Sequence, residues 1–143
     1  EKYSVNFWRP ITAINLGDLD GNDATEADPR WTPLITTPRF PEHTSGHSVF
    51  SGAAAEMLSH LFGRDVPFKA ESDSLPETYG IPNITRSFTS FEQAAKEASN
   101  SRIYGGIHFR AACEEGLRSG RGVAREVWAT QLQLPAPDMW VTW

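Results

Sequence analysis

Three short stretches of this chain carry residues that could hold a tetrahedral oxyanion and act on it. Lys2 is followed, six residues later, by Arg9-Pro10; Thr44-Ser45-Gly46-His47 stands in the middle; Ser101-Arg102 is followed, five residues later, by His108. Lysine is a compact point charge, whereas arginine offers a planar fork of donors that matches phosphate or vanadate oxygens. Lys2, Arg9 and Arg102 together could neutralise a multiply charged anion. The Ser45 hydroxyl and the Gly46 N–H, placed just before a helix, add directed hydrogen bonds where the helix dipole also favours negative charge. His47 and His108 are then free for bond-making and proton transfer.

Each stretch alone is a weak signal, but the three in order, with both internal spacings intact, are specific. K-x6-R-P, S-G-H and S-R-x5-H resemble the signature shared by vanadium-dependent haloperoxidases and the type 2 phosphatidic acid phosphatase (acid phosphatase) superfamily. The similarity continues through Phe7–Thr12, Pro41–Ala55 and Ser101–Arg110 and covers most of residues 2 to 125. It implies an all-α helical bundle, with residues 1–143 as a single motif-bearing helical domain or the C-terminal, motif-bearing part of a larger bundle. It also implies vanadate as cofactor, with Lys2, Arg9, Ser45, Gly46 and Arg102 holding the equatorial oxygens and His108 binding the metal axially. His47 would assist protonation of an apical oxygen. Vanadate would act as a Lewis acid toward hydrogen peroxide, Lys2 would draw charge from the peroxide, and a halide would be oxidised to hypohalous acid.

The phosphatase branch implied by the same resemblance uses the same side chains differently. There His108 attacks phosphorus, His47 protonates the leaving oxygen, and the three cations stabilise the transition state. Phe40, five residues before Ser45, favours the haloperoxidase side. Fungal chloroperoxidases carry a phenylalanine at that place, and an apolar ring there could desolvate a halide; packing of a loop against the core is the competing reading. Two departures from the family pattern stand out. Thr44 replaces a common proline, though threonine can still cap the following helix. Ala112 stands four residues after His108, where an aspartate often orients the histidine; Glu114 or Glu115 could substitute. Ala112 also motivates a third reading, an oxyanion-binding or assembly subunit without turnover.

Composition bounds these readings. A chain of 143 residues is long enough for one core. A hydrophobic content of 39% and a charged content of 22% fit a globular protein. The net charge of −5 argues against nucleic acid or an anionic membrane as partner, so a concentrated cationic pocket points to a small anion. No apolar run approaches the ~20 residues that span a bilayer. Hydrogen peroxide and a halide are the expected small partners. A further chain or an upstream segment is expected to complete the bundle, a homo-oligomer is open, and a secreted or periplasmic location is favoured. Cys113 is the single cysteine, expected to be a buried small hydrophobe.

The elements that must position the site follow from local pattern. Residues 3 to 14 read as the end of a helix, interrupted or kinked at Pro10. A loop runs from 17 to 41; its Asp18–Asp23 segment suggests calcium but has the wrong glycine position and Pro29 where a glutamate is needed, which leaves an Asx-rich turn. After the middle motif, Val49, Phe50, Ala53, Ala54, Met57, Leu58, Leu61 and Phe62 form an apolar stripe on a helix that Gly63 stops. His43 is a loop histidine near the proposed pocket, and His60 a boundary residue. A connection spans 64 to 87, Ser90-Phe91-Glu92-Gln93 reads as a capping box opening a helix through Ala98, and Asn100-Ser101 is expected to loosen or end that helix before Arg102. Gly105-Gly106 permits a bend before His108. A last helix is expected over 111–130, with Gly116, Gly120 and Gly122 requiring close packing and Arg118, Arg121 and Arg125 on a solvated face. The tail 135–143 suggests docking onto another part or subunit.

Overall fold

The computed structural model describes residues 2–72, 76–77, 80–82 and 84–132, so the tail 135–143 lies outside the described residues. Its body is three long helices, α3 (Gly46–Phe62), α4 (Phe91–Tyr104) and α5 (Arg110–Gln131), preceded by the short α1 (Lys2–Val5) and α2 (Pro10–Asn15). The connection between α3 and α4 contains a small antiparallel ribbon, β1 (Phe68–Ala70) with β2 (Arg86–Phe88), in which Phe68 faces Phe88. The all-α expectation is met. Among the described residues no helix is long and apolar enough to cross a membrane.

Helix α3 packs against both α5 and α4, and small residues set the closeness of that packing. A Cβ on Gly52 would lie 2.5 Å from the Leu117 carbonyl oxygen, and one on Gly116 would lie 2.8 Å from the Ser45 carbonyl oxygen. At Gly120 it would overlap the Val49 carbonyl. Backbones this close leave no room for large side chains between them. The face of α3 that is buried is therefore Ser48, Gly52, Ala55 and Glu56. The apolar stripe expected from periodicity is not the buried face: Phe50, Leu61 and Phe62 are 77%, 56% and 65% exposed. Ala55, Ala95 and Leu117, with Phe91 packed on them, form the apolar core where the three helices meet.

Charged contacts lock the same helices. Arg125 on α5 donates to the buried Glu56 of α3 at 2.8 Å, and Arg121 donates to Glu92 of α4 at 2.7 Å. The solvated face expected for these arginines holds for Arg118, which pairs with Glu115 on its own helix, and for Arg125, whose side chain stays 59% exposed, while Arg121 is partly buried. The Arg125 hydrogen bond is the main reason the Glu56 carboxyl titrates below its ordinary value. His60 stacks on Trp128 with ring centroids 4.9 Å apart and lies 3.5 Å from Glu56.

Other elements depart from expectation for local reasons. The expected break in residues 3–14 is a full interruption that starts ahead of Pro10: Asn6 adopts φ +48°, a region asparagine tolerates, and Pro10 opens α2 at its first turn. Ser45, not Thr44, caps α3, accepting from the Ser48 N–H. At α4, Ser90 accepts from the Gln93 N–H at 3.1 Å, while the Gln93 side chain reaches back to the Thr89 N–H at 2.6 Å. That helix continues through Asn100-Ser101 to Tyr104. Ser101 returns its hydroxyl to the Ala98 carbonyl at 2.7 Å, and Arg102 occupies the last turn, where a cation complements the dipole. In the 17–41 segment, Asp20 and Asn22 accept from backbone N–H groups two residues on, as Asx turns do.

Gly120→Ala is expected to destabilise the fold by about 3 kcal/mol through overpacking. Gly122, which has nothing within 4 Å of a built Cβ, is expected to gain about 1 kcal/mol on replacement by alanine. Urea denaturation of the two variants side by side checks the pair. Equal effects would show that the α3–α5 approach does not constrain these positions.

Candidate oxyanion site

The site is built where the 40–45 loop crosses the start of α5, pinned from both sides by main-chain bonds. The Glu42 N–H donates to the Phe7 carbonyl at 3.0 Å, and the Ser45 N–H to the Ala112 carbonyl at 3.1 Å. Lys2 fastens the same loop, its ammonium donating to the carbonyls of Pro41 at 3.2 Å, Glu42 at 3.0 Å and Thr44. Arg9 joins this loop to the third motif: Nε donates to the Phe40 carbonyl at 3.0 Å, and Nη1 to the Ile107 carbonyl at 2.8 Å. The Phe40 ring lies under both cations, 5.1 Å from Lys2 Nζ and 5.0 Å from Arg9 Cζ, and is partly exposed.

His108 is 5% exposed and held at both ring nitrogens. Its Nδ1 lies 2.6 Å from Glu42 Oε1, and the same oxygen accepts the Phe109 N–H at 3.0 Å. Its Nε2 lies 3.1 Å from Arg9 Nη1. A guanidinium can only donate, so Nε2 presents a lone pair and the proton resides on Nδ1, facing the carboxylate. Burial pulls the His108 pKa down; the Glu42 bond opposes this, and the charges of Arg9 and Lys2 add to it, with a net lowering. His47, on the exposed first turn of α3, is lowered too, by burial first and then by Arg102 and His108.

Glu42 is the functional residue that the motif pattern misses. It is 1% exposed and sits against the N-terminus of α5, a helix with no acidic residue in its first turn and no side-chain cap. Its carboxylate therefore complements the dipole as well as His108. Neither Glu114 nor Glu115 takes this part: Glu115 pairs with Arg118 and Ser119. Ala112, 1% exposed, contributes its carbonyl to Ser45 instead. The available signal was an unassigned acid in the pocket loop together with a missing one after His108.

The structure gathers the other expected residues around this histidine. Arg102 acts electrostatically on Arg9 and on His47, and its Nε is buried without a hydrogen-bond partner among the described residues. Ser45 is fully buried at the start of α3. A Cβ at Gly46 would meet nothing within 4 Å, so the backbone is open to a ligand there. Gly106 takes φ +73° and turns the chain before His108, close against Trp31 and Pro33. His43 is half-buried and lines a cavity of about 240 Å³ with Glu42, Phe109 and Ala112. Cys113 is buried, as expected. No group of three or more His, Cys, Asp or Glu residues is placed to hold a metal cation among the described residues. The donor set here, cations around one histidine nitrogen, suits an oxyanion such as vanadate.

This geometry coincides with a family assignment. The model of the VCPO second helical-bundle domain matches residues 1–136. The chain belongs to that family. A vanadium chloroperoxidase from Curvularia inaequalis is 26% identical over 151 residues, covering 77% of this chain and 24% of the relative. The structure described as the first bacterial vanadium-dependent iodoperoxidase is 46% identical, with a TM-score of 0.72, over 90% of this chain and 28% of that one. A holo-type bacterial vanadium-dependent chloroperoxidase shares the fold at 19% identity and a TM-score of 0.62, over 82% and 28%. The chain thus spans about a quarter of the length of these vanadium haloperoxidases.

Glu42→Ala leaves the buried His108 Nδ1–H and the Phe109 N–H without their acceptor and is expected to cost about 2–4 kcal/mol, measured by chemical denaturation. Both histidines bind protons more weakly in the fold than the ordinary value of 6.5. As pH falls below that value the unfolded chain takes up more protons, so stability is fully present above it and is lost toward acid pH. Denaturation midpoints between pH 8 and pH 5 should decline accordingly. A flat profile would show that neither histidine is held neutral.

Proposed function

We propose that this chain carries the oxyanion site of a vanadate-dependent haloperoxidase, in which hydrogen peroxide oxidises a halide to hypohalous acid. The observation that carries this reading is the unbalanced charge around one histidine lone pair. Lys2, Arg9 and Arg102 converge with Glu42 as their acidic counterpart, an arrangement in which a multiply charged anion restores the balance. Family membership supports vanadate as that anion.

His108 Nε2 would hold the central atom of the anion, its tautomer set by Glu42. Arg102 Nε, the Ser45 hydroxyl and the Gly46 N–H would hold oxygens, with Arg9 turning from His108 to join them. Bound vanadate supplies a Lewis-acidic centre that activates peroxide. Lys2, fastened to the loop carbonyls, contributes its positive charge to the same field. One proton is consumed for each hypohalous acid formed, and His47 is the titratable side chain to pass it. The partly exposed Phe40 ring beside two cations suits a halide, which gains the charge while shedding water against the ring. Iodide is the halide to expect first, since the 46% identical structure is described as an iodoperoxidase. The exposed Phe50, Leu61 and Phe62 of α3 would be covered by a further helical segment or chain; a secreted or periplasmic setting remains part of this proposal.

Incubation with vanadate should confer peroxide-dependent iodination of an organic trap, competed by excess phosphate and abolished in His108→Ala. Hydrolysis of p-nitrophenyl phosphate without vanadate, also abolished in that variant, would instead place the chain with the phosphatases. Arg102→Ala should weaken vanadate binding about 10- to 100-fold, the loss of one charge-assisted bond. Binding without either turnover would favour an assembly role.

A further inference from the structure

Beneath the site, two serines from the first turn of α3 and one from α4 form a buried hydroxyl row. Ser45, Ser48 and Ser99 are 0%, 0% and 2% exposed. Ser48 Oγ lies 3.0 Å from Ser45 Oγ and 2.8 Å from Ser99 Oγ. Each hydroxyl has one proton to give, and the contact with Ser45, where Ser48 is the donor, sets the direction of the row. Ser48 donates to Ser45, so the 2.8 Å contact requires Ser99 to donate to Ser48. The other acceptor open to Ser99, the Cys113 carbonyl, is at 3.5 Å. Ser45 Oγ also accepts the Ser48 N–H at 3.5 Å. Both of its lone pairs are thereby engaged, and its own proton has no acceptor among the described residues.

A buried hydroxyl whose proton lacks an acceptor carries a desolvation cost. The buried and unpartnered Nε of Arg102 stands three residues after Ser99 on the same face of α4. Two unmet donors from adjoining helices thus call for one acceptor. We propose that Ser48 and Ser99 are positioning residues that hold Ser45 as a donor-only group, so that its corner of the site takes an unprotonated oxyanion oxygen. This rests on the oxyanion reading above and extends it to the charge state of the oxygen that Ser45 meets.

Orthovanadate and inorganic phosphate binding to the full chain, followed by titration calorimetry, tests the row. Ser48→Ala should weaken both anions about tenfold and Ser99→Ala about threefold, the range for losing the partners of a buried hydrogen bond. Ser59→Ala, which removes another α3 hydroxyl bonded only to the Ala55 carbonyl, should leave affinity unchanged. The decisive readout is a double-mutant cycle: once Ser45 is alanine, replacing Ser48 should cost no further affinity. If Ser45→Ala weakens binding but Ser48→Ala and Ser99→Ala do not, the positioning role is overturned while the oxyanion site stands. Additive losses in the cycle overturn it as well. If Ser45→Ala, Arg102→Ala and His108→Ala all leave anion affinity intact, the oxyanion reading itself fails. Should Ser48→Ala not fold, a Ser99→Ala affinity equal to that of the unaltered chain is sufficient to overturn the proposal.

Discussion

A histidine buried beside an arginine cannot keep its place as an imidazolium, and it cannot keep a fixed tautomer without a partner for its remaining N–H. The bond from His108 Nδ1 to Glu42 supplies that partner, and much of the site depends on it. The same carboxylate oxygen holds the Phe109 N–H at the start of α5, so one group fixes both the ring and the helix that follows it. Arg9 then meets Nε2 as an acceptor, and the 40–45 loop is drawn against α5. Without Glu42 the pocket would lose a charge balance, a helix terminus and a ring orientation together.

The long helices serve this arrangement by being close. Where Gly116 packs on Ser45 and Ser48, and Gly52 on Leu117, the backbone of α5 forms the floor beneath the middle motif. The Ser45 N–H bonds to Ala112 directly. The stretch that presents His108 and the stretch that presents Ser45 are consequently parts of one packed unit, and the distance between them is set by backbone contact instead of flexible side chains.

The signature residues were legible because the chemistry of an oxyanion demands particular types at particular spacings: Lys2, Arg9, Ser45, Gly46, His47, Arg102 and His108 all declare themselves in the chain. Glu42 did not, since its bond to His108 crosses 66 positions and no local period encodes it. The buried face of α3 was misread for a different reason. Hydrophobic periodicity weighs large apolar groups, whereas this interface is decided by backbone approach, which rewards Gly52 and Ser48 over Phe50. Asn100-Ser101 looked like a stop because of intrinsic preference, yet packing of α4 against α3 carries the helix on to Tyr104. The cross-helix roles of Arg121 and Arg125 were hidden likewise, because Glu92 and Glu56 belong to other elements.

The contact between Arg9 and His108 Nε2 has a kinetic side. Under the proposed function, the nitrogen that would hold the central atom is already engaged by a guanidinium that also grips the carbonyls of Phe40 and Ile107. Capture of an anion is thus an exchange, in which the arginine releases the ring as the ligand takes its place. Until that exchange Arg9 covers the His108 lone pair, so the resting ring is held in the tautomer that the anion would meet.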